Sequence, residues 1–312
     1  MVKIPEFWYI DEYYGPTKTH NLKISQTAKA GWNHHKEAYV GAYEGSLGDN
    51  CYHSRKGAIP TVNINRETAR VRARANGFEG ESKWNIYTYE EHRAICHLFL
   101  VEYATRNSQA PVNASLTVDG FKQGGLGMGA TLNTVNNAYS FIPTGTTDSL
   151  GNGSGQVAYT ASNGTTHYAN RYRGIENPFG HIWKHCDDVI TQIVQSDYRT
   201  AYKCEDPSQF ATNKNAKYKP ICSFASGLQG YKKEIKATIN CDFFAESVGG
   251  SESTYWCDYN YDNTDTSEHC LLIGSVSGDG VAAGLFHFYS GDDVGASGVS
   301  IGSRLTYLPW AE

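Results

Sequence analysis

The chain has 312 residues, of which 40% are hydrophobic and 19% charged, with 32 glycines and 22 tyrosines. That is too apolar for a disordered chain and too rich in turn-forming residues for a coiled coil, and it is long enough to bury a sizeable core in one large or two modest domains. The net charge of −5 hides an asymmetry: from residue 241 onward one basic residue, Arg304, stands against eleven acidic ones, which argues against a nucleic-acid partner there, because phosphate contacts need Lys and Arg.

The N-terminus, Met1-Val2-Lys3-Ile4-Pro5-Glu6-Phe7-Trp8-Tyr9, is aromatic and soon acidic. It lacks the long apolar core of a secretory signal, and no apolar run approaches the roughly 18–20 residues of a membrane span. Residues 1–49 are expected to form an N-terminal segment packed on a domain made by residues 50–312. Cys51, Cys96, Cys186, Cys204, Cys222, Cys241, Cys257 and Cys270 include no Cys-x-x-Cys pair, which disfavours a zinc ribbon or a thioredoxin motif. Cys204 with Cys222, and Cys257 with Cys270, bracket polar loops, but without a secretory signal free thiols are the expectation.

Residues 60–77 predict a helix, with Asn65 as N-cap and Asn76-Gly77 as the stop. Arg66, Arg70 and Arg74 recur every fourth residue. They are expected to form a solvated face helped by Glu67 rather than an anion-binding stripe. Residues 88–105 predict a second helix, with a capping box at Thr88 and Glu91 and an apolar surface almost all round. His92 and His97 sit five apart, not at the helical metal-pair spacing, and are expected at the surface or the core edge. Residues 106–170 are turn-rich, with signals at Gly124-Gly125, Gly151-Asn152-Gly153 and Asn163-Gly164. Asn113, Asn152 and Asn163 begin Asn-x-Ser/Thr triplets, which matter only in a glycosylating secretory pathway.

Beyond residue 170 the sequence reads as short strands and long loops. Gly284-Leu285-Phe286-His287-Phe288-Tyr289 predicts a strand with Phe286 and Phe288 inward and His287 and Tyr289 outward. The loop Gly278-Asp279-Gly280 lacks the Lys and the following helix of a phosphate loop. Asp258, Asp262 and Asp265 lack EF-hand spacing and are expected to be a solvated acidic loop, not a calcium site. No metal or cofactor is expected.

Three segments carry a family resemblance. Ile86-Tyr87-Thr88-Tyr89-Glu90-Glu91 looks like the helix start, Asn177-Pro178-Phe179-Gly180-His181-Ile182-Trp183-Lys184 like the core strand, and Ile301-Gly302-Ser303-Arg304-Leu305 like the closing strand of the C-type lectin fold in its formylglycine-generating-enzyme-like form. Their order resembles the variable proteins of diversity-generating retroelements, such as phage tropism determinants. The resemblance implies an α+β fold: two helices with short antiparallel strands and long loops. It also implies a ligand- or receptor-binding protein, not an enzyme, on a virion tail or a cell surface. Its partner would be a protein or glycan receptor on a target cell, with no membrane insertion.

In that family the C-terminal surface, here about residues 255–300, is rewritten while the scaffold is kept. The positions the resemblance implies are Trp256, Asn260, Asp262, Asn263, Glu268, His269, Val276, Ser277, Asp279, Val281, His287, Tyr289, Asp292 and Asp293, with burial in the core the open alternative for Trp256 and Val276. Tyrosines beside small polar residues also resemble a paratope, and the acidic side chains suit a basic or polar partner. Two alternatives remain open. One is a metal-dependent oxygenase of the sulfatase-modifying type, which would need Cys257, His269, Cys270 and His287 to converge. The other is a structural virion protein.

Overall fold

The strand Trp183–Gln195, thirteen residues long, organises the chain. The computed structural model describes residues 1–112, 141–160, 164 and 166–312. This strand lies within a nine-stranded sheet whose path runs Lys219–Ala225, Tyr198–Lys203, Trp183–Gln195, Glu268–Ile273, Phe288–Tyr289, Tyr259–Tyr261, Gln229–Ile235 and Ala245–Val248. Its ninth strand, Ile301–Gly302, pairs in parallel with Trp183 and Lys184. The two outer strands of the path approach each other, so the sheet is nearly closed and barrel-like.

Among the described residues 38% are strand and 13% helix. This corrects the α+β C-type lectin architecture that the resemblance implied: two helices are present, but they are accessory to a mostly β structure. The strands are hard to read from sequence because the central one has no wet face until its last four residues. Every residue from Gly174 to Thr191 is buried, so apolar–polar alternation has no reason to appear there.

A second sheet joins the chain ends. Its four strands run Val2–Ile4, Ala38–Glu44, Arg304–Tyr307 and Trp84–Ile86. The division at residue 49 falls in the turn between the paired strands Ser46–Gly48 and Cys51–His53, where Asp49 and Asn50 both take positive φ. Arg304 is 1% exposed and donates to the carbonyls of Gly41 at 2.7 Å and Asn177 at 3.1 Å. The basic residue of the acidic C-terminal segment is thus an internal clamp.

Helix α1 spans Arg66–Arg74, and Asn65 Oδ1 accepts from Thr68 N as an N-cap should. Its arginines do not form a solvated face. Arg66 is fully buried and donates to the carbonyls of Val189 at 3.0 Å and Ala211 at 3.1 Å. Arg70 grips both oxygens of Asp187 at 2.7–3.0 Å, and Arg74 donates to Pro207 O. The stripe is a set of internal struts, because carbonyls and a carboxylate replace the water each guanidinium loses.

Helix α2 spans Tyr89–Tyr103, capped by Thr88 Oγ1 accepting from Glu91 N. Asp188 adds a second cap: its carboxylate accepts from the backbone N–H groups of Tyr89 and Glu90 at 2.5 and 3.1 Å. The neighbouring carboxylates Asp187 and Asp188 therefore anchor one helix each, where the register of the central strand shifts between Cys186 and Ile190. His92 and His97 are 0% and 1% exposed, not at the surface or the core edge. His92 Nε2 bonds Leu285 O at 2.7 Å and His97 Nε2 bonds Cys241 O at 3.2 Å. The outer turn behaves otherwise: Val101 is 51% exposed, so α2 is buried at its start rather than all round. Ile95 and Phe99 enter the main core with Phe179, Phe243, Phe286 and Phe288.

All eight cysteines are free thiols. Gly151 takes positive φ in its turn. The signals at Gly124-Gly125, Asn113 and Asn163 lie outside the described residues. On either side of the last, Gly155–Thr160 and Thr166–Tyr172 pair antiparallel.

Candidate functional site

The C-terminal face divides into a foundation and a display. Six of the expected surface residues are buried: Trp256 at 5%, Asn260 at 5%, Asp262 at 0%, His269 at 2%, Val276 at 4% and His287 at 3% exposure. This corrects the expectation for Asn260, Asp262, His269 and His287, and for Trp256 and Val276 it is the alternative of burial that holds; each burial has a partner that explains it. Trp256 packs edge-on against Phe243 and Phe286 with ring centroids 5.8 and 5.1 Å apart. Asn260 Nδ2 donates to Leu228 O at 2.9 Å. His269 Nδ1 bonds Ser290 O at 2.7 Å, and Val276 packs with Trp183, Cys270 and Leu272.

The predicted strand 284–289 is strand only at Phe288–Tyr289. Before it the chain turns, so alternation does not apply. Leu285, Phe286, His287 and Phe288 are all buried, while Tyr289 is half-buried. His287 Nδ1 donates to Ala282 O at 2.9 Å and the ring stands edge-on to Trp183. Burial pushes this imidazole down to about 3, so it is neutral at ordinary pH. Gly284 has a positional reason: a Cβ there would lie 2.2 Å from the Asp258 carboxylate.

The display consists of Asn263, Glu268, Ser277, Asp279, Val281, Tyr289 and Asp292, all partly exposed, and Asp293, which is exposed. Tyr261 joins them. Its ring stacks on Tyr289 with centroids 4.7 Å apart and planes 9° from parallel. Gly291 lies against this pair, and a Cβ there would come within 2.6 Å of the Tyr261 ring. Tyr289 donates its hydroxyl to Asp292 Oδ1 at 3.1 Å. Asp265, at the rim, is held down to about 2 by the Ser267 hydroxyl and backbone N–H. Beneath the display Asp262 is paired with Arg199, whose Nη2 also donates to Asn263 Oδ1 at 3.0 Å and Asp265 O at 2.9 Å. The result is a stacked tyrosine pair with the Asp292 carboxylate at its edge, above a buried ion pair.

Asp258, Asp262 and Asp265 do not share one solvated loop surface. Asp258 is buried, accepts from Ser108 Oγ and Phe286 N at 3.0 and 2.8 Å, and is raised to about 8 by burial. Asp262 is buried too, and only Asp265 is exposed. Cys257, His269, Cys270 and His287 do not form a common ligand set among the described residues. Cys270 Sγ and both histidines point instead at backbone carbonyls.

A second site, which the sequence reading missed, lies at the start of α2. A cavity of about 260 Å³ is lined by Glu90, Glu91, Arg93, Asp188, Lys203, His35, Phe210 and Trp310, among others. His35 is 1% exposed, and its Nδ1 and Nε2 stand 3.6 Å from Glu90 and 3.4 Å from Glu91, beyond good hydrogen-bond range. Both imidazole nitrogens, Glu91 Oε2 and Trp310 Nε1 are buried without a hydrogen-bond partner among the described residues.

The cavity's carboxylates are divided in protonation. Burial, then Glu90 and Asp188, raise Glu91 well above the ordinary range. Burial opposes ionisation of Glu90 as well, but Arg93 and Lys203 outweigh it and hold that group well below. The cavity thus offers a neutral carboxyl, a carboxylate and a neutral imidazole. Only Glu90-Glu91 at a helix start hints at it in sequence; His35, Asp188 and Lys203 arrive from three other strands or turns.

No protein-family model matches the chain, and no curated protein matches it.

Proposed function

We propose that the chain is a ligand- or receptor-binding protein that recognises a protein or glycan on a target cell through the tyrosine platform and its carboxylate rim. The observation that carries this reading is the parallel stack of Tyr261 and Tyr289, half-exposed and fixed from below by the buried Asp262–Arg199 pair. Rigid aromatics presented beside short polar side chains give contact area at low entropic cost, and a few such anchors normally carry most of an interface's affinity. The acidic rim favours a basic or hydroxyl-rich partner.

Diversification by a retroelement, and a place on a virion tail or cell surface, belong to the same proposal. Tolerated positions would then be Asn263, Glu268, Ser277, Asp279, Val281, Tyr289, Asp292 and Asp293, because replacing the buried six would damage the scaffold. The test has two arms. Copies of the gene should differ at the exposed positions and keep the buried ones; even drift over the whole chain would overturn the diversification. Binding to whole cells and to a glycan array should fall for Tyr261→Ala with Tyr289→Ala while the circular dichroism spectrum is kept. Undiminished binding would remove the platform from the reading.

The orphaned groups of His35, Glu91 and Trp310 favour a second reading, a compact polar small molecule in the cavity at the start of α2. A ligand-observed NMR fragment screen should give hits that His35→Ala loses; a screen without hits would discard it.

A further inference from the structure

Away from the C-terminal platform, and adjoining the cavity at the start of α2 through Tyr9 and Asn240, three side chains from separate parts of the chain converge at the edge of the N-terminal sheet. This sheet is formed by Leu22–Ser25, Phe7–Asp11 and Asn33–His35. Asp11 ends its central strand, His20 follows the turn closed by Tyr14 and Thr19, and Cys241 sits in the loop before the strand Ala245–Val248. One imidazole nitrogen, one carboxylate oxygen and the thiol sulfur lie within 4.8 Å of one another. His20 Nδ1 is already 2.6 Å from Asp11 Oδ2.

Two observations set this cluster apart from a chance meeting of polar groups. The Asp11 side chain is 0% exposed, and its carboxylate meets the Cys241 thiol, while Oδ1 makes no well-aligned hydrogen bond among the described residues. A buried carboxylate oxygen without an aligned partner is costly. The loop that brings the sulfur is also held in place independently: Asn33 Nδ2 donates to Ile239 O at 2.6 Å, Tyr9 hydroxyl to Asn240 Oδ1 at 3.4 Å, and His97 Nε2 to Cys241 O at 3.2 Å. His20 is partly exposed and, with Cys241, lines an open cleft of about 960 Å³, so one side of the cluster faces solvent.

We propose that Asp11, His20 and Cys241 form a binding site for a divalent metal ion of the zinc class. The donor set selects the metal. A thiolate with an imidazole and one carboxylate suits zinc or its neighbours, whereas calcium and magnesium take oxygen donors throughout. Tetrahedral coordination needs bonds of about 2.0–2.3 Å, so the three donors move together slightly around the ion and a water from the cleft fills the fourth position. Binding exchanges the thiol proton for the metal and releases it to solvent. The bound ion links the N-terminal sheet to the 239–241 loop. The inference is independent of the C-terminal platform.

The test uses the tag-free full chain after chelation and dialysis. Titration with Co²⁺ should give one equivalent bound, with a thiolate-to-cobalt charge-transfer band in the near ultraviolet, and Zn²⁺ should displace it. Zn²⁺ should also raise the melting temperature of the wild type. Cys241→Ser, which is nearly isosteric, and His20→Ala should each lose the band and weaken Zn²⁺ binding by more than about 100-fold, the upper end of what removing an outer-shell partner costs. Cys270→Ser, remote from the cluster, should keep both. Should Cys241→Ser fold poorly, Asp11→Asn provides the same reading. No charge-transfer band in the wild type, or a band and affinity retained in Cys241→Ser, would overturn the site.

Discussion

Arg199 Nε lies 2.6 Å from Asp262 Oδ1, and both side chains are fully buried. The approach is off the line of the Nε–H bond, so the contact is an ion pair while Nη2 makes the aligned hydrogen bonds to Asn263 and Asp265. A carboxylate in an exposed-looking Asp/Asn loop is therefore the base of that loop. Removing one partner of a buried pair leaves an uncompensated charge and costs about 3–5 kcal/mol. Asp262→Ala should accordingly lower the urea midpoint strongly, and Asp262→Ala with Arg199→Met should recover part of the loss. A double variant no better than the single one would show that the pair does not act as a unit.

The display should behave in the opposite way. Asp292→Asn with Asp293→Asn should change stability by about 0.5 kcal/mol or less each, as for surface positions away from caps and cores. Binding to the partner should weaken, and its dependence on ionic strength should become shallower, because exposed charges act through a screened field. An unchanged salt dependence of cell attachment would separate these carboxylates from recognition.

Glu44 makes a pH prediction. Its carboxylate is 1% exposed, bonded to His181 Nδ1 and 3.0 Å from Lys184 Nζ. Burial works against its ionisation, but His181 and Lys184 outweigh that and lower it to about 2 from 4.5. A depressed folded-state value means stability that is present above pH 4.5 and is lost as pH falls through about 2. At about 1.4 kcal/mol per unit the contribution is on the order of 3 kcal/mol. Denaturation midpoints measured between neutral and acid pH should fall more steeply for the wild type than for Glu44→Gln; parallel curves would refute the assignment.

Glu91 should show the reverse sign. Its folded-state value is raised well above 4.5 by burial and by Glu90 and Asp188, so its contribution is intact below the ordinary carboxylate value and is lost as pH rises. Glutamine mimics the protonated form. Glu91→Gln should match the wild type near pH 4 and exceed it in stability at pH 8, read by thermal melts. A variant less stable than the wild type at both pH values would mean that the carboxyl makes contacts that glutamine cannot replace.

Local chemistry was legible in the sequence. Asn65 and Thr88 mark the two helix starts because a cap needs only its own side chain and a backbone N–H three residues on. The core roles of Phe286 and Phe288 were legible from their apolar bulk. What the sequence could not determine was which polar side chains would be taken inside. Arg66 and Arg70 read as a wet helix face, yet both are buried, and so are Lys184, His185, Asp187 and Asp188, whose side chains alone give no reason to be inside.

Their burial is decided by distant partners. Lys184 meets Glu44, Asp187 meets Arg70, and Asp188 meets the start of α2. A charge is affordable in the interior only where such partners converge. The same reason separates Asp262 from Asp292 and His287 from Tyr289: residue type is shared or similar, and only tertiary contact determines which holds the platform up and which faces a partner. The overall architecture was likewise set by long-range pairing. The two strongly patterned helices were visible, while the nine-stranded sheet that outweighs them joins segments more than a hundred residues apart.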